Sequence, residues 1–204
     1  MDEAYFHTLS GPGESVLRVR ASKFLGYAFP IRDEGSFKLR QAEISALHHT
    51  CRHVCFAWVL GDLGELSRNS DAGEPSGTAG KPILRQIQGQ GLSGCGVIVV
   101  RYFGGTLLGK GGLVRAYGDT AKLALDNAPT GSRILCTRLQ VRCGYPLVER
   151  LRNEVLAGGG AVVSSDFSSD CSLVLDVPNG MTKAFTESCE LLGALVELPD
   201  DHRK

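Results

Sequence analysis

The chain lacks any long hydrophobic run. In its 204 residues no stretch approaches the roughly 18 apolar residues that a membrane-spanning helix needs. The N-terminus is acidic and has no apolar core of the kind found in a secretory signal peptide. The seven cysteines form no CxxC pair, and an odd number fits no complete disulfide framework. These absences argue against a membrane helix and a secreted disulfide scaffold, and we expect a cytoplasmic protein with no membrane partner.

Acidic residues are missing from one long segment. Residues 75–118 contain five basic residues and no Asp or Glu, although the whole chain balances 22 basic against 22 acidic residues. The same segment holds 12 of the 26 glycines. Because local fields persist where net charge cancels, this composition favours an anionic partner. The simpler alternative is that the glycines make tight turns and the basic side chains are only solvated.

The organising motif lies at the end of that segment, GCGVIVVRYFGGTLLGKGGLVRAYG at residues 94–118. Its β-branched run predicts a buried strand, and apolar residues spaced three and four apart predict a helix from about Gly111. The glycine-rich loop between them can approach another molecule closely. Backbone N–H groups and the helix dipole would attract an anion there. The candidate residues are Arg101, Tyr102, Gly104, Gly105, Gly109, Lys110, Gly111, Gly112 and Arg115, with Lys81 upstream.

The loop nearly matches the P-loop pattern of nucleotide-binding proteins. Gly104–Gly111 reads GGTLLGKG, which has the glycines and the lysine, but Gly111 stands where the magnesium-binding hydroxyl belongs. No apolar strand ending in Asp follows to act as Walker B. Nucleotide hydrolysis is therefore not expected, while phosphate binding remains open.

A second motif, SDAGEPSGTAGKP at residues 70–82, places two carboxylates on a sharp turn before a predicted helix. Asp71 and Glu74 could hold a metal or act as acid and base. The alternative we favour is that they pair with a cation that fixes the basic loop, from among Arg52, Arg101 and Lys110. Thr78 is a candidate N-cap, and Ser76 and Thr78 serve either the turn or a ligand.

Residues 53–60 alternate as a strand, which predicts one face with His53, Cys55, Ala57 and Val59, and another with Val54, Phe56, Trp58 and Leu60. Cys51, His53 and Cys55 suggest a metal site. At about 3.3 Å per residue, however, the two sulfurs would be roughly 13 Å apart. That separation is poor for one tetrahedral ion and too long for a disulfide. We expect no metal and no other cofactor, and His53 alone keeps functional weight.

Before this strand, the pattern predicts two strands within residues 14–31 and a helix capped by Asp33 or Ser36. The helix should end near His49, where His48 would serve C-terminal capping.

Four blocks of sequence resemble the IMPACT (YigZ) family: SKF at residues 22–24, RHVCFAWVLG at 52–61, SDAGEPSGTAGKPIL at 70–84 and VIVVRYFGGTLLGKGGLVRAYG at 97–118. The resemblance implies an N-terminal α/β domain like the second domain of a small-subunit ribosomal protein, and a link to translation. Cys51 and Val54 depart from the family pattern. Eukaryotic relatives reach their partner partly through an extra N-terminal domain, so that partner is not expected here, although a translation-related protein partner is.

The two predicted domains are residues 1–130 and residues 131–204, separated by a turn-rich PTGS at residues 129–132. Patterns in the second domain predict the order βαββαβ, which is the ferredoxin-like split motif. The resemblance implies a similar small C-terminal domain in bacterial members. The expected fold is thus a two-domain α/β or α+β protein.

These observations lead to an RNA- or ribosome-binding modulator of translation, without an assigned reaction. The basic glycine loop would meet phosphate, and Tyr102 and Phe103 would stack on bases. Core packing is the alternative for both aromatics, and we favour it for Phe103. The competing class is a small phosphorylated-ligand binder or enzyme, with Asp71, Glu74 and His53 as the acid, base and metal candidates. A protein-interaction module built on the second domain's sheet is a third.

Overall fold

The computed structural model describes residues 5–51, 53–61, 63–167 and 171–198. In these residues the fold is mixed α/β, with three sheets and five α-helices. The chain divides into two compact units, Phe6–Ser132 and a second made of Arg133 onward together with Tyr5. Strands β1 (Tyr5–Leu9) and β7 (Thr130–Ile134) form a separate two-stranded sheet. Most of the turn predicted at residues 129–132 is therefore strand, because β1 supplies its hydrogen-bonding partner.

A five-stranded sheet forms the first unit, in the order β2-β3-β6-β4-β5 with every pair antiparallel. Its strands are β2 (Gly13–Val19), β3 (Ser22–Pro30), β4 (His53–Leu60), β5 (Leu66–Ser70) and β6 (Cys95–Tyr102). The alternation predicted along β4 is confirmed. Cys55 and Val59 belong to one core cluster, whereas Trp58 and Leu60 belong to another.

Helices cover both faces of this sheet. On one face, Phe37 and Ile44 of α1 (Glu34–Leu47) share a cluster with Phe29 of the sheet. On the other face, α2 (Gly80–Gly89) and α3 (Gly109–Asp126) pack in the cluster that contains Cys55 and Val59. The three layers bury the two apolar faces that the alternation produces. Asp33 caps α1 and Ser36 completes a capping box, as the sequence predicts.

Strand register brings the two motifs to one edge of the sheet. His53 pairs with Arg101 between β4 and β6, and Phe56 pairs with Ser70 between β4 and β5. The ends of β5 and β6 therefore lie at the same edge. Because α2 and α3 follow these strands, both helices begin there, and each motif supplies the connection to its helix.

The second unit has the predicted order of elements. These are β8 (Cys136–Cys143), α4 (Val148–Ala157), β9 (Ala161–Asp166), β10 (Cys171–Pro178), α5 (Thr182–Leu191) and β11 (Leu195–Glu197), with a short 3-10 turn before α4. Its antiparallel sheet runs β11-β8-β10-β9. One face packs on Val155 of α4 and Phe185 of α5. The other face carries the bidentate pair between Arg138 and Asp176.

Within the described parts of the chain, no helix is both long enough and apolar enough to cross a membrane.

Candidate nucleic-acid interface

A buried ion pair joins the two motifs. Arg101 Nη1 lies 2.8 Å from Glu74 Oε1, and the two side chains are only 7% and 3% exposed. The hydroxyl of Tyr117, from α3, donates to the same carboxylate oxygen at 2.8 Å. Burial raises the pKa of this hydroxyl, which keeps it protonated as a donor. The ion-pair alternative is therefore correct for Glu74, and its partner is Arg101.

Asp71 caps α2 from outside the helix. Its carboxylate accepts hydrogen bonds from the backbone N–H groups of Gly77, Ala79 and Gly80 at 2.8–2.9 Å. Burial by itself raises the pKa of Asp71, but these three donors and the charge of Lys81 outweigh it and hold the pKa below its usual value. The positive end of α2 is thus neutralised within the protein.

The glycine loop, which we define as residues 104–112 and which includes the first residues of α3, packs against the turn between β2 and β3. A Cβ on Gly104 would lie 2.0 Å from the carbonyl carbon and oxygen of Ala21, so only glycine fits there. The N–H of Gly104 donates to Ser22 Oγ at 3.3 Å. Arg20 Nη1 donates to the carbonyl of Leu107 at 3.0 Å. The base of the loop is therefore fixed by packing and hydrogen bonds.

The outer part of the loop faces open space. A Cβ on Gly105, Gly109 or Gly111 would meet no heavy atom within 4 Å. Gly105 and Gly109 have φ of +84° and +71°, which glycine adopts most easily, whereas Gly111 has no such requirement. Gly112, by contrast, packs with its Cβ position 3.1 Å from Leu108 Cβ. Three of the five loop glycines thus expose backbone that another molecule could approach.

Within the described part of the chain, the N-terminus of α3 has no capping side chain. Its N-cap residue is Leu108, and its first turn contains no acidic residue. Lys110 and Arg115 are exposed, and Arg115 Nε lies 3.4 Å from the carbonyl oxygen of Gly111. Backbone donors, the helix dipole and two cations therefore act together on one surface.

Comparison with known proteins identifies the family. Residues 20–125 match the family model described as the Impact N-terminal domain. The chain is 34% identical over 181 residues to the IMPACT family member YigZ of Escherichia coli (strain K12), covering 87% of this chain and 88% of the relative. The chain belongs to the IMPACT family. The resemblance found in the four sequence blocks is thereby confirmed.

Other IMPACT relatives extend the match along the chain. The IMPACT family member YvyE of Bacillus subtilis (strain 168) is 29% identical over 187 residues, covering 92% of this chain and 86% of the relative. A crystal structure described only as that of a hypothetical protein has a TM-score of 0.78 and 28% identity, covering 97% of this chain and 98% of that one. The similarity therefore includes both units.

Two residues of the IMPACT motif differ from their predicted roles. Arg101 lies behind the loop in its ion pair, which corrects the expectation that it meets phosphate directly. Tyr102, the next residue of β6, points to the opposite face of the sheet, where its hydroxyl lies 2.8 Å from His48 Nδ1. His48 Nε2 lies 2.7 Å from the hydroxyl of Tyr27. Tyr102 is thus tied to α1, which does not fit stacking on bases.

His48 itself does more than end α1. Burial and the charge of Lys23 lower the pKa of the His48 ring, so the ring is neutral at pH 7. A neutral ring donates from one nitrogen and accepts at the other, which suits its position between two tyrosine hydroxyls.

The remaining motif residues serve the turn or lie at its surface. Thr78 is not the N-cap of α2: that position is Ala79, and the Thr78 hydroxyl donates to the carbonyl of Pro75 at 2.6 Å. Ser76 and Lys81 are exposed. His53 Nδ1 lies 2.9 Å from the carbonyl oxygen of Ala72, to which it donates. Arg52, offered as a partner for the carboxylates, lies outside the described residues.

The three residues considered for a metal make other contacts. The Cys51 thiol donates to the carbonyl of Arg101 at 2.9 Å, and the Cys55 thiol donates to that of Asp71 at 3.0 Å. Burial raises the pKa of Cys55 to about 12, which keeps the thiol protonated. Among the residues the structure describes, no group of three or more His, Cys, Asp or Glu could hold a metal ion.

Sequence reasoning missed Arg20. This residue lies outside the motif, but the β2–β3 turn brings it to the loop, where it adds a third cation. It has a φ of +52°, unusual for a residue other than glycine. Arg20 reaches the loop because β3 pairs with both β2 and β6. No local sequence pattern reveals this pairing, so the sequence held no signal for Arg20.

The capping by Asp71 predicts a pH-dependent stability. Replacing Asp71 with Asn should lower the free energy of unfolding by about 2 kcal/mol at pH 7, because three N–H donors lose a charged acceptor. A lowered pKa stabilises the fold above the unfolded value of about 3.9 and ceases to do so as pH falls through the folded value. The difference between wild type and variant should therefore shrink below about pH 4. Urea unfolding followed by Trp58, the single tryptophan, measures it.

Asp119→Asn, on the exposed side of α3, serves as the matched control for Asp71→Asn and should change stability little. An Asp71→Asn effect that stayed constant from pH 7 to pH 3 would contradict the charged cap.

Replacing a glycine with alanine should have opposite effects on stability at two positions of the glycine loop. Gly104→Ala should destabilise the first unit by about 2 kcal/mol, because its Cβ would overlap the Ala21 carbonyl. Gly111→Ala should stabilise it by about 0.5–1 kcal/mol, because this helical position has open space and no positive φ. The urea midpoints of the two variants test this, and midpoints that shift in the same direction would refute it.

Proposed function

We propose that this IMPACT family protein binds structured RNA or the ribosome through its glycine loop and modulates translation, with no assigned reaction. The observation that carries the proposal is the open N-terminus of α3, which has no capping side chain among the described residues and is flanked by exposed Lys110 and Arg115. RNA is the polyanion that fits such a surface, because its phosphates accept from both backbone N–H groups and basic side chains. Arg20 adds a cation at the loop, where it donates to the carbonyl of Leu107, and Lys81 is exposed in the first turn of α2.

The roles of the glycines support the same proposal. Gly105, Gly109 and Gly111 leave backbone exposed on the outer side of the loop. Gly111 in the first turn of a helix costs stability that alanine would not cost. Neither its φ angle nor its surroundings require glycine. A close approach by a phosphate gives a reason for its presence.

The alternative of a small phosphorylated-ligand binder or enzyme has less support. It assigns acid–base or metal-binding work to Asp71 and Glu74. Asp71 accepts from three backbone donors, and Glu74 is buried against Arg101 and Tyr117. Of the three candidates, only His53 takes no part in these contacts, and one histidine without a free carboxylate gives no acid–base pair.

We also propose the finer fold assignments. The strand order β11-β8-β10-β9 and the order βαββαβ support a ferredoxin-like second domain, with the boundary near residue 131. The resemblance in sequence supports likeness of the first domain to the second domain of a small-subunit ribosomal protein. A cytoplasmic location is consistent with the free thiols of Cys51, Cys55, Cys95, Cys143, Cys171 and Cys189.

The test is binding of purified protein to total RNA and to isolated ribosomal subunits at several salt concentrations. Replacing both Lys110 and Arg115 with Ala should weaken binding equally across sequences, because phosphate contacts carry no sequence information. For single-stranded sites, the slope of log affinity against log salt should fall by about 1.4 in magnitude, at about 0.7 per phosphate contact.

A charge-matched double variant, Arg40→Ala with Lys122→Ala, removes two exposed cations from α1 and from the far end of α3. It should bind RNA nearly as the wild type does. Unchanged affinity in the Lys110 and Arg115 variant, or an equal loss in the control, would exclude the loop as the RNA site.

A further inference from the structure

Phe103 differs from its predicted place in the core. It follows β6 directly, and its side chain is 56% exposed at the base of the glycine loop. Core packing, the role favoured for it from the sequence, is therefore wrong. An exposed aromatic ring therefore lies beside the basic loop.

The ring of Phe103 rests on a fixed cation. The guanidinium carbon of Arg101 lies 5.3 Å from the centroid of Phe103 and 5.6 Å from that of the buried Phe24. The guanidinium is held in turn by Glu74, which also accepts from Tyr117. A cation held at this distance attracts the π-face of the ring. Phe103 is thus supported by a buried network although it is itself exposed.

The backbone on the other side of Phe103 is also fixed. Gly104 packs against Ala21 and donates to Ser22, so the chain cannot swing freely after the ring. The Phe103 ring lies against the Arg101 cation, and the backbone of the following residue, Gly104, is fixed. The ring therefore loses little conformational freedom when it binds a ligand. Such preorganisation favours recognition.

We infer that Phe103 is a stacking platform for an unpaired nucleotide, whose phosphates contact the adjoining glycine loop. This inference rests on the proposed function and specifies its ligand as single-stranded or looped-out RNA. An aromatic ring stacks on the face of a base that is not already covered, and bases inside an A-form helix have both faces covered. Lys110 and Arg115 supply the charge that a single-stranded backbone needs beside the ring.

The experiment compares three probes: single-stranded oligo(U), duplex RNA of equal length, and inorganic polyphosphate, which has charge but no bases. Wild type should prefer oligo(U) to the duplex. Phe103→Ala should lower affinity for oligo(U) by about 5- to 150-fold, the range found when one stacking aromatic is truncated, and change polyphosphate binding less than about twofold. Lys110→Ala should weaken binding of both oligo(U) and polyphosphate.

Two further variants separate stacking from general apolar contact. Phe103→Leu keeps apolar bulk over Arg101 without a flat ring and should lose oligo(U) affinity as Phe103→Ala does. Leu107→Ala removes an 80% exposed apolar side chain from the same loop and should change affinity less than about twofold. Equal losses in Leu107→Ala and Phe103→Ala, or retention in Phe103→Leu, would overturn the stacking role.

Phe103→Trp adds a direct reporter, because Trp58 is the only other tryptophan and is buried. Oligo(U) should quench the new fluorescence and polyphosphate should not. A wild type that binds neither oligo(U) nor the duplex RNA would overturn the proposed function and this inference together, whereas one that binds only the duplex would overturn the inference alone. A wild type that binds oligo(U) as tightly as Phe103→Ala does would overturn the inference alone.

Discussion

The buried ion pair between Glu74 and Arg101 is the interaction on which the rest of the site depends. Burying two charges costs desolvation energy that their attraction only partly offsets, so such a pair is weak evidence for stability. What it provides here is position. One carboxylate oxygen binds the end of β6 and the helix α3, through Arg101 and Tyr117, to the turn that follows β5. If either charged partner were lost, the other would be left buried and uncompensated, at a cost of about 3–5 kcal/mol.

This pair divides the motif residues into two groups. Asp71, Glu74 and Arg101 point inward and hold the loops, whereas Lys110 and Arg115 point outward and keep their charge available. In the sequence the two groups look alike, since both are charged residues in glycine-rich segments. For Arg101 the inward direction arises from strand alternation, because it occupies the covered face of β6 beneath α2 and α3.

The elements that could be predicted are those in which buried apolar residues recur at the regular spacing of a strand or a helix. The alternation of β4, the strand and helix of the central motif, and the order of elements in the second unit follow from local patterns. The strand β5 could not be predicted, because four of its five side chains are exposed and the sequence LSRNS has no apolar alternation. The places of Arg20, Tyr102 and Phe103 depend on neighbours distant in sequence. Core packing was expected for Phe103, but its ring is 56% exposed and lies beside the guanidinium of Arg101, which comes from the neighbouring position of the chain.

The helices α2 and α3 begin at the same end of the sheet, but only the N-terminus of α2 is capped. This difference identifies the N-terminus of α3 as the candidate site. Both present a positive dipole end, and neither has a capping side chain at its own N-cap position. At α2 the chain supplies Asp71 as an internal anion, whereas at α3 it supplies Leu108, glycines and Lys110 instead. If the N-termini of α2 and α3 were both uncapped, two positive helix-dipole ends would lie side by side without a neutralising charge. If both were capped, no free helix N-terminus would lie beside the loop cations. One capped and one open helix end therefore leave a single surface to which, as we propose, an external phosphate binds.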